Sequence, residues 1–586
     1  MASMKNTAVA VWLARLQGAL SDGDGRAAAA LFAPDCYWRD FLALSWNLVT
    51  TEGRADIAAM LAATLPHTGP VALALDGEAT DGPDGLSAWF TYATRQSRGR
   101  GHVRLKNGEG HTFFMAMREL VGFEEKSGPT REAGVEHGAR RGRVTWGDQR
   151  ARDAEAAANP YCLIVGGGQG GIALAARMRR LGVPTLVIDR SPRPGDAWRN
   201  RYKSLCLHDP VWYDHMPYLP FPAHWPIYTP KDKMGDWLEA YTGLMEIEYW
   251  GSTACRAASY DGTRWTVEVE REGRSITLHP AHLVLATGMS GVPNMPRIRG
   301  AEKFRGTLQH SSAHTGADAY AGKRAVVVGA NNSAHDITTD LWENEAAEVT
   351  MVQRSSTLVA RQETLRRNAA GGVYTEEAAA AGISTDTADL TVASTPYRLV
   401  PAQQIPIWNR VQQEDKPFYD RLRAVGFKLD FGEDGSGLSM KYLRRGSGYY
   451  IDVGGSELVA DGRVGLASGV EVGELTEHTA ILTDGRVLPA DLVVFATGYG
   501  SMTGWAAQLI SQDVADRVGP CWGLGSGTTY DPGPWEGELR NMWKPTAQPG
   551  LWFHGGNLAQ SRHYSRYVAL QIKARMEGLP TPVWPG

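Results

Sequence analysis

The sequence predicts an α/β chain with two strand–helix–strand units, each opening on a glycine turn, preceded by a small α+β unit. Three observations carry this. The stretch "VGGGQGG" (165–171) joins an apolar strand to a helix faced with alanines. A related turn, "VVVGANNSAHD" (326–336), follows a lysine-arginine pair and again precedes a helical segment. The first 125 residues carry apolar residues at helical spacing and then a series of strand-like segments.

In the first unit Val9, Trp12, Leu13, Leu16 and Leu20 fall on one helical face. Further helices are expected in "GRAAAALFA" (25–33) and after "TTEGRADIAAML" (50–61). Strands are expected in 86–96, 101–107 and 110–125. Helices followed by a curled antiparallel sheet give a cone-shaped α+β fold. Residues 126–157 are charged and broken by Gly and Pro, which reads as a linker ending in a short helix.

In "YCLIVGGGQGGIALAARMRRLGVPTLVIDR" (161–190) the glycines have separate tasks. Gly166 permits the tight turn, Gly168 lets a pyrophosphate approach the backbone, and Gly171 lets helix pack on strand. Gln169 and Gly170 stand at the helix N-terminus, which favours anions. Asp189, 23 residues after Gly166 and followed by Arg190, stands where an acid meets ribose hydroxyls. The unit is therefore Rossmann-like and binds an adenine dinucleotide.

The second turn has Gly329, Asn331 and Ala334 where the motif reads G-x-G-x-x-G, with Asn332 and Ser333 between. Asparagine tolerates positive φ, so the turn remains viable, with the Asn331 side chain either turned away from a pyrophosphate or bonded to it. Arg354 ends the next strand, with Ser355 after it. A cation there holds the 2′-phosphate of NADPH, where an acid selects NAD; the alternative is a solvated strand-end charge.

Composition excludes several classes. The formal net charge of −4 gives no argument for nucleic acid. No apolar run reaches the roughly 18 residues needed to span a bilayer. Arg15 and Gln17 interrupt the early apolar stretch, so no signal peptide is expected. The five cysteines are far apart and form no C-x-x-C, against a zinc site or a redox dithiol and in keeping with a reducing cytoplasm. No metal site is expected.

Several motifs give a family resemblance. "PGDAWRNRY" (194–202), with Trp198, is similar to the flavin-lining G-G-x-W stretch of flavin-containing monooxygenases, with Asp196 in place of the second glycine. "LCLHDP" (205–210), "LPFP" (219–222) and "PIYTPKDKMGDWLEAYT" (226–242) resemble the plant auxin-forming members in order and spacing. Two A-T-G turns end in Gly288 and Gly498. "FRGTLQHSSAH" (304–314) resembles the family fingerprint through Phe304, Gly306, His310 and Ser311, with His314 replacing its terminal aromatic. "CYWRDFLAL" (36–44) after the second helix resembles the nuclear-transport-factor-like domains that precede some of these enzymes.

The resemblance to the flavin-containing monooxygenases, class B flavoprotein monooxygenases, covers residue 158 to the end. It implies FAD and NADPH as cofactors. The implied division is 1–125 for the nuclear-transport-factor-like unit, 126–157 for the linker, 158–312 with 485–586 for the FAD domain, and 313–484 for the NADPH domain. It implies hydride transfer from NADPH to FAD, a C4a-hydroperoxyflavin shielded by retained NADP⁺, and transfer of one oxygen atom from O2 to nitrogen or sulfur of a small nucleophilic substrate. Asn331 is then expected to loosen NADP⁺ and raise peroxide leakage. The C-terminal helix after Gly555, Gly556 and Asn557 is implied to aim its positive end at the flavin, with Arg562 and His563 as residues that reach the pocket or lie on the helix surface. His208 and Asp209 stand where family members carry a flavin-facing Asn and are the candidate catalytic polar groups. The glycine- and aromatic-rich stretch 429–454 is expected to form part of the substrate wall. Baeyer–Villiger oxidation of ketones and an uncoupled NADPH oxidase remain as alternatives; the absence of the fingerprint tryptophan speaks against the first. The front unit is either a structural or dimerising appendage or a small-molecule binder.

Overall fold

The computed structural model describes residues 4–82, 85–135, 137–289, 292–368, 372–521 and 538–584. Ser290 and Gly291, in the stretch after the first A-T-G, lie outside the described residues.

The front unit is α+β. Helices α1 (Met4–Ser21), α2 (Gly25–Ala29) and α3 (Gly53–Thr68) pack on strands β1 (Phe32–Phe41), β2 (Leu48–Glu52), β3 (Ala72–Gly82), β4 (Gly85–Ala93), β5 (Ser97–Lys106) and β6 (Glu109–Leu120). The residues expected on one face of α1 are those it buries. The Asp24 carboxylate caps α2 by accepting from the N–H of Arg26 and Ala27 at 3.1 and 2.9 Å. The sheet runs β2-β1-β6-β5-β4-β3, with β1 parallel to β6 and the other neighbours antiparallel.

This sheet serves two cores, because side chains alternate across a strand. Along β6, Phe113 and Met115 join Trp12, Phe32 and Trp38 under α1. Phe114, Ala116 and Met117 join the core of the following unit. The Phe41 ring lies 5.2 Å from that of Tyr567, on the last helix of the chain.

The remaining principal strands are β7 (Cys162–Val165), β8 (Thr185–Ile188), β9 (Tyr249–Trp250), β10 (His282–Leu285), β11 (Thr307–His310), β12 (Arg324–Val328), β13 (Glu348–Gln353), β14 (Gly465–Ser468), β15 (Leu492–Phe495) and β16 (Leu551–Phe553). They form two parallel five-stranded sheets, β16-β10-β7-β8-β9 and β11-β15-β12-β13-β14. Helix α4 (Gln169–Arg180) follows β7, and α5 (Asn332–Glu343) follows β12. Two later helices matter for the site: α6 (Thr385–Ala393), inserted in the second unit, and α7 (Leu558–Met576), which packs on the first.

Both boundaries of the second unit differ from the sequence reading. Strands β11 and β15 lie in the ranges expected for the FAD unit, yet both pair in the second sheet. The A-T-G turns follow β10 and β15, one in each sheet. Among the described residues no helix is long and apolar enough to cross a membrane.

Candidate functional site

The two glycine turns share one backbone geometry. Gly166 and Gly329 sit at φ 115° and 133°, where a side chain is strained. A Cβ on Gly171 would lie 1.9 Å from the Gly166 carbonyl oxygen, so only glycine lets α4 approach its turn. The equivalent residue of the second turn, Ala334, is fully buried, so that crossing has room for one methyl.

The middle position corrects the sequence argument. Gly168 and Asn331 both cap their helices, at φ −78° and −101°. Neither needs positive φ, so the tolerance of asparagine for that region is not used. The Asn331 side chain turns aside, its Oδ1 accepting from Thr357 Oγ1 at 3.4 Å. Asn332 Oδ1 accepts the Ile451 N–H at 2.9 Å. A Cβ placed on Gly168 would meet nothing nearer than Ala197 Cβ at 3.9 Å, so this side of the turn is open to a ligand. A cradle of this kind fits a dinucleotide pyrophosphate.

Residues named from the first turn converge. Trp198 Nε1 donates to Gln169 Oε1 at 3.2 Å, and Gln169 Nε2 donates to the Gly556 carbonyl at 3.1 Å. A Cβ on Gly170 would lie 3.1 Å from Gly555 Cα, so the starts of α4 and α7 meet. Asn557 caps α7 in a reciprocal box with Gln560, and its Nδ2 donates to the Tyr213 hydroxyl at 3.2 Å. The Asp189 carboxylate accepts the N–H of Gly167 at 2.6 Å and of Ser191 at 2.7 Å, tying the end of β8 to the turn. Arg190 is exposed beside it. Gly288, at φ 97°, has open space at its Cβ position.

At the end of β13 Arg354 is exposed and lies 3.3 Å from Glu471, and Ser355 is exposed next to it. The fingerprint acts as a brace. His310 Nε2 donates to the Gly498 carbonyl at 3.0 Å, while its Nδ1 accepts the Ser312 N–H at 3.1 Å. Burial lowers the His310 pKa, in keeping with the neutral ring these bonds require. His314 is buried, with Nε2 3.1 Å from Asp340 Oδ2 on α5 and Nδ1 accepting from Gln309 at 3.2 Å.

The loop with the candidate catalytic pair runs between the units. His208 Nε2 lies 3.9 Å from Asp336 Oδ2 on α5, and Asp336 accepts from the Tyr202 hydroxyl at 2.5 Å. The His208 Nδ1 is buried and has no hydrogen-bond partner among the described residues. Burial raises the pKa values of the Tyr213, Tyr442 and Tyr449 phenols, with a smaller push from the nearby Asp209 carboxylate. Burial raises the Asp209 pKa, offset in part by His208. Asp214, 1% exposed, is raised well above the carboxylate range by burial and by Asp209. Tyr442 and Tyr449, both in 429–454, thus stand at this loop, and Tyr442 donates to Gln560 at 2.6 Å.

Arg562 does not face solvent, whereas His563 is half-buried. Arg562 is buried in a fork with Asp389, and His563 is packed against Tyr564 and Tyr567. No sequence signal marked Asp389 or Tyr213 as neighbours of Arg562, because both contacts join segments more than 170 residues apart.

A family model described as pyridine nucleotide-disulphide oxidoreductase matches residues 163–374. An indole-3-pyruvate monooxygenase of Oryza sativa subsp. japonica, YUCCA1, is 28% identical over 352 residues, 58% of this chain and 77% of that protein. Among solved structures, closed cyclohexanone monooxygenase aligns with TM-score 0.52 at 16% identity, over 72% of this chain and 85% of that one. The complex of OTEMO with FAD and NADP aligns with TM-score 0.52 at 17% identity, over the same shares. Two dinucleotide turns, one in each parallel sheet, and these relatives make the chain similar to the class B flavoprotein monooxygenases. These likenesses support a flavin-dependent monooxygenase that uses FAD and NADPH.

Proposed function

We propose that the chain binds FAD at the first turn and NADPH at the second, and transfers one oxygen atom from O2 to nitrogen or sulfur of a small organic substrate. The observation that carries the assignment of turns is the charge at equivalent strand ends. Asp189 closes the first unit, bonded to its turn, and the exposed Arg354 closes the second. An acid suits ribose hydroxyls, and a cation suits a 2′-phosphate.

Bound FAD, reduced by NADPH, supplies the activation of O2. The residues of this chain bind, orient and exclude water. The N-termini of α4 and α7 point positive ends at one region, which favours negative charge there. Gln169 holds Trp198 and Gly556 together across it. Asp209 and Asp214 hold their protons more tightly than ordinary carboxylates, and so can present O–H donors. Transfer to nitrogen or sulfur rather than to a ketone is favoured by His314. It occupies the place of the fingerprint tryptophan and is buried against Asp340.

The test is NADPH consumption by the FAD-loaded protein with amines, sulfides, indoles and ketones, with products identified by mass. N- or S-oxides are expected. Lactones or esters would establish the Baeyer–Villiger reaction instead. Hydrogen peroxide equal to NADPH consumed with every substrate would remove oxygen transfer altogether.

A further inference from the structure

Arg562 lies in the first turns of α7, five residues past the cap Asn557, and is 5% exposed. Its guanidinium forks onto Asp389 of α6, Nε to Oδ2 at 2.8 Å and Nη2 to Oδ1 at 2.6 Å. The third nitrogen, Nη1, donates to the carbonyls of Tyr213 at 2.6 Å and His215 at 2.7 Å. One side chain therefore joins the last helix of the first unit, an inserted helix of the second, and the loop carrying His208, Asp209 and Asp214. A planar guanidinium can make these bonds together, and a point-charge ammonium cannot. Tyr213 closes the arrangement. Its hydroxyl accepts from Asn557, and its ring meets Tyr374 at 4.8 Å, whose hydroxyl donates to Asp389 at 2.8 Å.

Helix α6 is gripped from its other side by the front unit. Arg118 pairs with Asp386, which also lies 3.1 Å from Arg566 on α7. Arg100 donates to Thr387 Oγ1 at 3.1 Å, and Arg104 to the Ser394 carbonyl and hydroxyl at 3.2 and 2.9 Å. These arginines come from β5 and β6 and place α6, and with it Asp389.

We propose that Arg562, fixed by Asp389, is a positioning residue that holds the 208–215 loop against the start of α7, and that the front unit serves this by fixing α6. The proposal rests on the oxygen-transfer reading for its catalytic consequence. A loosened loop would let water reach the reacting region and misplace the substrate, and displacements of about 1 Å cost up to roughly a hundredfold in rate. Loss of NADPH equivalents to peroxide is the expected sign.

The test uses the full FAD-loaded chain as wild type, Asp389→Asn, Asp389→Glu and Arg562→Lys. Amide hydrogen exchange over 211–216 should accelerate about tenfold in Asp389→Asn and Arg562→Lys, with 163–180 unchanged. In the same two variants the fraction of NADPH recovered as peroxide should rise roughly fivefold while KM for NADPH stays within about twofold. Asp389→Glu, which keeps the carboxylate, should retain most of the coupling. Unchanged exchange, or an unchanged peroxide fraction with lowered flavin content and melting temperature, would make the pair a structural strut and overturn the proposal. If wild type itself consumes no NADPH, the oxygen-transfer reading fails, and the exchange contrast alone decides whether Arg562 holds the loop.

Discussion

Gln169 and Gly556, 387 residues apart, share a hydrogen bond of 3.1 Å that brings the first glycine turn to the start of the last helix. The bond closes the first unit on itself, because β16 and α7 return beside β10 and α4 after the whole second unit has intervened.

The close approach at the first turn gives the sharpest mutational expectation. Gly171→Ala places a methyl 1.9 Å from the Gly166 carbonyl and forces α4 away from its strand. Purified Gly171→Ala should lose most of its bound flavin, read as the ratio of flavin to protein absorbance, and lose about 2 kcal/mol or more of stability. Flavin content equal to wild type would refute the packing argument.

For Arg354→Ala, KM for NADPH should rise about tenfold or more, as expected from losing a charge-assisted bond, while KM for NADH changes little. Equal changes for both nucleotides would return Arg354 to a solvated charge paired with Glu471.

Asn331→Gly should leave NADP⁺ affinity and peroxide leakage within about twofold of wild type, since replacing an N-cap asparagine with glycine costs only a few tenths of a kcal/mol. The side chain is turned to Thr357 and the backbone is extended, so glycine gains nothing at this place. A large gain in NADP⁺ affinity would show that the amide turns toward the nucleotide after all.

Acid should destabilise the second unit through His335. The ring is fully buried, stacked on Tyr450 at 4.0 Å, and burial lowers its pKa from 6.5 to about 4. A depressed histidine pKa means that the unfolded chain takes up the proton first as pH falls. The stabilisation is complete above pH 6.5 and is lost between 6.5 and 4, by about 3 kcal/mol at most. The stability difference between wild type and His335→Gln, from urea unfolding, should therefore narrow from pH 7.5 to pH 5. A constant difference would contradict this.

The front unit is docked through a buried charge pair, Arg39 with Glu538, whose carboxylate also accepts the Tyr397 N–H at 3.2 Å. Glu538→Ala should cost about 3 kcal/mol or more, because it strands a buried guanidinium. Arg39→Met with Glu538→Leu should recover most of that loss in thermal unfolding. No recovery would place the cost in the loop rather than the charge.

The parts legible from sequence are those governed by local rules. The turns at Gly166 and Gly329 and the face of α1 follow from spacing and backbone sterics within one segment. Gln169, Trp198 and Gly556 were each marked by motif, although nothing local joined them. The parts that escaped depend on distant pairing. Strands β11 and β15 carry no mark of which sheet they enter. Asn331 was read through φ because the motif names a residue type, whereas its side-chain direction is set by Thr357. The sequence leaves Arg562 between the pocket and the helix surface, since its partner Asp389 lies 173 residues away. The candidate pair His208 and Asp209 adjoins in sequence, but its surroundings come from distant segments, Asp336 beside His208 and Tyr449 near Asp209.

The two-faced front sheet has a thermodynamic consequence. Phe41 and Phe114 belong to the same buried cluster as Tyr567 and Val568 of α7, so the front unit cannot melt without uncovering the core beneath it. Calorimetry should show these parts leaving the folded state in one cooperative transition, and a chain cut at residue 126 should yield two fragments that each expose an aromatic face and associate when mixed.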